Sequence, residues 1–332
     1  MTIRWEEMKP NDVFVYNNQT LSLGKSLIGK EDVVNTYKAF GLIIESEIVI
    51  DDLIAGSLEK PDVIIVKGSA PDTFENTVID TPSVKISNDK YFSLIHNVAK
   101  YYVEKGRYII VEPFEASAEE EVKLYLLGNC MGALLYQRRI LPLHASCVNV
   151  NENGILLVGD SGAGKSTIAS VLLKNGYKLL TDDVAAIDFN KNKETVIYPG
   201  YPSQKLWEDT IERIGVEEPK LSLIRISKEL HKYSVKRNSN FKDGTTPVKI
   251  IFEIVPAEIT EIQLEEVKGT KKLNVIFKNT YRKLFVEAME IREWYFGSCI
   301  AIANQVAVYR ILRPRMEHLE NDIAELIMEK VD

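Results

Sequence analysis

The stretch Gly159-Asp-Ser-Gly-Ala-Gly164-Lys165-Ser166 limits what this chain can fold into more than any other part of it. It fits the pattern GxxxxGK[ST], in which glycines let the backbone curl until several N–H groups point at one phosphate. Such a loop belongs between a buried strand and a helix, because the helix N-terminus adds its positive dipole end at the same point. The flanking residues read that way. His144–Val150 alternates as a strand, Asn151–Asn153 turns, and Gly154–Val158 is apolar throughout, as a buried strand requires. Lys165–Lys174 reads as a helix stopped by Asn175-Gly176, and Tyr177–Thr181 as a further strand that ends in Asp182-Asp183. Strand, glycine loop, helix, strand is the start of an α/β nucleotide-binding fold with a P-loop core.

Gly159, Asp160, Ser161, Gly162, Ala163, Gly164, Lys165, Ser166 and Thr167 are therefore the expected nucleotide contacts. Lys165 is suited to neutralise β- and γ-phosphate oxygens and the Ser166 hydroxyl to ligate magnesium, so ATP and Mg2+ are the implied cofactors. A phosphate loop alone does not choose between a GTPase switch, a motor and a kinase. The guanine-reading NKxD string is absent, since Asn190-Lys191-Asn192-Lys193 lacks the aspartate. A motor ATPase carries its carboxylate well downstream, whereas here two carboxylates follow the very next strand. Phosphoryl transfer needs a metal ion on the phosphates and a group that accepts the proton of the incoming hydroxyl. Asp182 and Asp183 can divide these tasks only if the strand ends there, because neighbours along a strand face opposite ways. His144 opens the strand before the loop; taken alone, such a histidine is more often structural than catalytic. His96, His231 and His318 read as structural or surface residues.

The 332 residues leave room for two domains, expected as a small α+β domain over 1–115 and a catalytic domain over 116–332. A net charge of −7 argues against general affinity for nucleic acid or an anionic membrane surface. Three widely spaced cysteines, Cys130, Cys147 and Cys299, form no CxxC pair and read as buried thiols of a reducing compartment. Residues 1–10 lack an apolar h-region and no apolar run is long enough to span a bilayer, so a soluble, cytoplasmic protein is expected.

In the first half, Val13–Tyr16, Gly41–Ile50 and Val63–Val66 read as strands and Tyr91–Lys105 as an amphipathic helix. A helix follows from a capping box at Ser117-Ala-Glu-Glu120 to about Arg138, with Gly128 and Gly132 pointing to close backbone packing. Further helices are expected near Trp207–Gly215, Arg282–Phe296 and Met316–Lys330, and strands at Val248–Val255 and Val306–Leu312. The basic segment Lys232–Lys249, with Lys236, Arg237 and Lys242, reads either as a lid over the phosphates or as a solvated loop. Arg310 and Arg313 are undecided, and Trp207 is a core or groove residue.

Three elements together resemble the catalytic domain of HPr kinase/phosphorylase: Leu143-His-Ala-Ser-Cys-Val148, the loop Gly159–Ser166, and Leu180-Thr-Asp-Asp183. The resemblance implies a P-loop core related to that of phosphoenolpyruvate carboxykinase and an ATP- and magnesium-dependent serine kinase. By position it implies Asp182 as the base, His144 as its assistant with Lys165 on the phosphates, and Ser166 with Asp183 on the metal side. The chain departs from the bifunctional enzymes at Thr167, where they usually carry glutamate, and at Tyr198-Pro-Gly-Tyr-Pro-Ser-Gln-Lys-Leu-Trp207, which replaces their glycine-rich signature. That variant pattern looks like the stand-alone HPr-kinase-like proteins, some of which accompany lasso-peptide clusters, so the expected partner is a serine-bearing peptide or protein. A homo-oligomer is expected by analogy alone. Alternatives are a nucleotide-binding regulator without transfer activity, a small-molecule kinase, and a bifunctional HPr kinase/phosphorylase.

Overall fold

In a computed structural model the described residues are 13–16, 19–22, 34–215, 221–226, 231–315 and 318–331. Residues 1–10 and Met316, on which two expectations bear, lie outside them. Val13–Tyr16 is a strand, paired antiparallel with Gln19–Ser22.

Residues 35–113 form a nine-stranded sheet, and no helix occurs between residues 34 and 113. Over these residues the chain is built of strands alone, where a helix was expected among them. The segment read as a helix, Tyr91–Lys105, consists of the antiparallel strands Lys90–Ile95 and Ala99–Glu104. Its apolar spacing misleads because these strands are covered on both faces: Tyr91, Phe92 and Ser93 are all buried, as are Tyr101, Tyr102 and Val103. The punctuation is His96-Asn97-Val98, where Asn97 takes a left-handed φ of 61° and the Val98 N–H returns to the Ile95 carbonyl at 3.0 Å. Asparagine tolerates that conformation better than most residues.

The second sheet carries the phosphate loop. The order is Leu141–Leu143, Ala185–Phe189, Thr195–Tyr198, Thr246–Ala257, Asn153–Val158, Ala145–Val150, Lys178–Thr181, with Ala307–Pro314 running parallel to Thr246–Ala257. The strand feeding the loop, Asn153–Val158, is flanked on both edges, by Ala145–Val150 antiparallel and by Thr246–Ala257 parallel. This explains its unbroken apolar composition. The helix Lys165–Lys174 follows the loop with the expected bounds.

A helical segment lies between the sheets, as Glu119–Tyr125, a π-helical turn Leu126–Cys130, and Met131–Gln137. The expected capping box does not form. The Ser117 hydroxyl donates to the Phe114 carbonyl at 2.7 Å, and Ala118 takes the cap position. The two glycines do serve packing: a Cβ on Gly132 would meet Tyr281 Cε1 at 2.9 Å, and one on Gly128 would meet Tyr281 Oη at 3.3 Å. The helix expected at Arg282–Phe296 is instead two, Leu284–Ala288 and Arg292–Gln305, broken where Glu290 takes a φ of 55°. The last helix is Glu320–Val331. All three cysteines are buried and unpaired, as expected. No helix among the described residues is long and apolar enough to cross a membrane.

One continuous set of buried side chains runs from Tyr37 to Val308 through both sheets and the 119–137 helix. Polar links reinforce it. Asp51 accepts from Lys236 Nζ at 2.7 Å and Lys123 Nζ at 3.0 Å, and Asp52 accepts from the Ser234 hydroxyl at 3.0 Å. The Lys236 hydrogen bond, with help from Lys123, outweighs burial and lowers the Asp51 carboxyl to about 2. A depressed carboxyl contributes stability that is complete above its unfolded value and lost as pH falls through its folded value. Urea unfolding of Asp51→Asn is therefore expected to show a shallower loss of stability than the parent between pH 4 and pH 2. Solvent screening of this half-exposed group keeps the difference small.

Candidate active site

The loop starts under steric constraint. Gly159 has φ 143°, and a Cβ there would lie 2.5 Å from the Ile254 carbonyl oxygen of the neighbouring strand, so no side chain fits. Its N–H donates to Asn279 Oδ1 at 2.8 Å, while the Asn279 carbonyl accepts from the His144 N–H at 2.8 Å. This buried asparagine thereby fixes the loop entry and the backbone of His144 together. Gly162 and Gly164 also have positive φ, 81° and 102°. Ser161, Gly162 and Gly164 through Thr167 line a cleft of about 480 Å³. Three of the expected contacts do not line it: Gly159 is closed off as described, Ala163 packs into the core, and Asp160 turns out to Lys278 at 3.1 Å. Lys165 Nζ donates to the carbonyls of Gly159 at 2.8 Å and Asp160 at 3.1 Å. Burial pushes its ammonium below the usual lysine range against the opposing pull of Asp182 and Asp183.

The strand Lys178–Thr181 ends just before the two aspartates, and Asp183 takes a left-handed φ of 77°. That turn lets neighbouring carboxylates reach one cleft, the condition stated above for both to function. Asp182 is buried and accepts from three elements: the Ser146 hydroxyl at 2.5 Å, the Ser166 hydroxyl at 2.9 Å and the Lys205 N–H at 2.9 Å. Asp183 accepts instead from Lys205 Nζ at 2.8 Å and faces His144 Nδ1 at 3.2 Å. Burial opposes its charge, but Lys205 and His144 outweigh it and hold the carboxyl well below the usual carboxylate range. Lys205 is held above the usual lysine range, the Asp183 charge overcoming the cost of burial. His144 Nδ1 also lies 3.1 Å from the Asp183 carbonyl oxygen. With two acceptors on Nδ1, the tautomer carrying its proton there is favoured, leaving Nε2 as an acceptor.

The structure therefore gathers His144, Lys165, Ser166, Thr167, Asp182 and Asp183 at one cleft, and adds Ser146, Lys205, Trp207, Lys232, Arg313 and His318 to its lining. His318 is exposed, as expected of a surface residue, and lies at the edge of this lining. Lys205 sits on the strand Ser203–Trp207, and no motif marks it. Of the basic segment, Lys232 reaches the cleft. Lys236 is tied to Asp51, Arg237 Nε donates to Gln204 Oε1 at 2.9 Å, and Lys242 pairs with Glu152. Arg310 is taken by Glu253 at 2.7 Å. Among the described residues no cluster of three His, Cys, Asp or Glu side chains could hold a metal by itself. The oxygen set of Ser166 and Asp182 fits a hard cation that takes its remaining ligands from phosphate and water, as Mg2+ does.

Residues 138–217, which contain the loop and both aspartates, match the family model of the HPr Serine kinase C-terminal domain. This stretch is similar to an HPr kinase. The HPr kinase/phosphorylase of Clostridium botulinum (strain Eklund 17B) is 46% identical over 55 residues, 17% of this chain and 17% of that protein. The HPr kinase/phosphorylase of Lactobacillus gasseri is 27% identical over 106 residues, 29% of this chain and 33% of the relative. The chain thus spans a minor part of the length of the curated relatives it matches. A solved structure, that of the Hpr(Ser) kinase/phosphatase from Coxiella burnetii, aligns with 57% of this chain and 95% of its own at 14% identity, with a TM-score of 0.31.

Asp183 and Lys205 form a partly buried ion pair in the cleft, and removing Lys205 leaves Asp183 with His144 as its remaining partner. Lys205→Met is expected to destabilise the protein more than Lys205→Met combined with Asp183→Asn. A double-mutant cycle by urea unfolding should give a coupling of about 1–3 kcal/mol.

Proposed function

We propose that this protein is an ATP- and magnesium-dependent kinase that phosphorylates a serine hydroxyl on a peptide or protein. The observation that carries the reading is the convergence of Lys165, Ser166, Asp182 and the His144–Asp183 pair on one cleft. The similarity of residues 138–217 to the HPr serine kinase C-terminal domain supports it.

The geometry favours a division of labour between the aspartates opposite to that implied by position in the family. Asp182 lies against Ser166 and Ser146, where with the Ser166 hydroxyl it would hold Mg2+; the ion supplies charge neutralisation on the phosphates. The His144–Asp183 pair is left to receive the proton, with Asp183 orienting the ring and Nε2 accepting, the logic of a base held by a carboxylate. The serine oxygen forms its bond to the γ-phosphorus as the bond to the β-bridging oxygen breaks, and its proton passes to His144. ADP leaves. Lys165 and the helix N-terminus stabilise the charge on the transferring group.

The test is incubation with Mg-ATP and three acceptor sets, HPr, serine-ended peptides including a lasso-peptide precursor, and small alcohols, followed by mass spectrometry. Phosphate on a peptide or protein serine is the expected result; phosphate delivered only to water, or only to small alcohols, sinks the proposal. Asp183→Asn and His144→Ala are expected to lower kcat by about 10²–10⁴ with ATP affinity retained. Asp182→Asn is expected to raise the magnesium concentration needed for half-maximal rate. If Asp183→Asn transferred phosphate at the parent rate, the proton would have to go elsewhere.

A further inference from the structure

Most cations of the cleft are already compensated. Lys205 is paired with Asp183 at 2.8 Å, Arg315 with Glu258 at 2.7 Å, and Arg213 Nε with Glu320 at 2.9 Å. Lys232 lies over the Trp207 ring, 5.3 Å from its centroid. Lys165 and Arg313 are placed differently, because both donate to backbone carbonyls of the phosphate loop itself. Arg313 Nε donates to the Ala163 carbonyl at 3.1 Å, and Nη1 to the Pro314 carbonyl at 3.0 Å. A Cβ on Gly164 would lie 3.9 Å from Arg313 Nη2, so the guanidinium rests over the last glycine of the loop, beside the first turn of the helix. The carboxylate whose field reaches Arg313 is Glu320, and Arg213 already occupies it. Burial and the neighbouring Arg213 both act against its charge.

The position is rigid. Arg313 stands at the end of the strand Ala307–Pro314, in register with Pro256 on the strand that borders the loop strand. A planar guanidinium anchored by two carbonyls is held in place with Nη2 beside Gly164, and phosphate oxygens are the acceptors that such a fork matches best.

We infer that Arg313 is a second phosphate-binding cation of this site, meeting the polyphosphate tail of a bound nucleotide from the Gly164 side of the loop. The inference rests on the nucleotide-binding reading above. It explains why a side chain distant in sequence returns to the loop, and why two arginines share one carboxylate there: an arriving anion supplies the missing negative charge.

Isothermal titration with Mg-ATP and with inorganic tripolyphosphate tests it on the full chain, comparing the parent with Arg313→Gln and Arg313→Lys. Glutamine can still donate to a carbonyl but carries no charge; lysine keeps the charge and loses the fork. Arg313→Gln is expected to weaken both ligands by about tenfold to a hundredfold. Arg313→Lys should recover part of the loss, and the dependence of affinity on ionic strength should be shallower in the glutamine variant. Thermal melts of each variant report on folding separately. Equal losses in both variants with an unchanged salt dependence would mean that Arg313 only props the loop through Ala163, overturning the inference. A parent that binds ATP no better than Arg313→Gln overturns it alone, whereas a parent that binds neither ligand overturns the kinase reading as well.

Discussion

The arrangement of the cleft depends on one buried carboxylate. Asp182 is nearly excluded from solvent, and a buried carboxylate is tolerated only where donors replace its lost water. Its three donors come from three parts of the chain: Ser146 on the strand before the loop, Ser166 at the start of the loop helix, and the Lys205 N–H on the strand Ser203–Trp207. Satisfying one side chain therefore sets the separation of three elements. It also delivers the consequences next door. Once the backbone of Lys205 is tied to Asp182, the Lys205 ammonium falls on Asp183, and Asp183 in turn faces His144.

Much of this core was legible in the sequence, for physical reasons that differ from residue to residue. The loop was plain because each of its glycines answers a backbone demand: Gly159 cannot carry a Cβ beside Ile254, and Gly162 and Gly164 need positive φ. The helix Lys165–Lys174 was plain at both ends, since the loop starts it and Asn175-Gly176 stops it. Asp182 and Asp183 were found because two carboxylates follow the strand next to the loop, but their partners were not. Ser146, Lys205 and Asn279 act through contacts between segments far apart in sequence, and serine, lysine and asparagine at those positions look like any surface or strand residue. Arg313 is the same case at longer range.

The errors in the first half have a common cause. Tyr91–Lys105 was read as a helix because apolar residues recur on a spacing that a helix would use, yet strands buried on both faces lose the strict alternation that identifies a half-exposed strand. Only Asn97, able to take a left-handed turn, separated the two possibilities. The break at Glu290 was hidden for a related reason: the residue takes a positive φ without being glycine or asparagine, so composition gave no sign that the helix stops.

The nine-stranded sheet of residues 35–113 is bound to the part of the chain that carries the cleft through charge as well as core packing. Asp51 and Asp52 reach Lys123, Ser234 and Lys236, and Ser234 and Lys236 belong to the strand His231–Lys236, which pairs with Ser203–Trp207. That second strand carries Lys205. A displacement of the first sheet would therefore be felt at the Asp183–Lys205 pair through a single intervening strand pairing, without passing through the phosphate loop. Because a carboxylate–ammonium contact in a partly dry cleft weakens steeply as its partners separate, the charge balance of the cleft is tied mechanically to a sheet whose described residues do not line it.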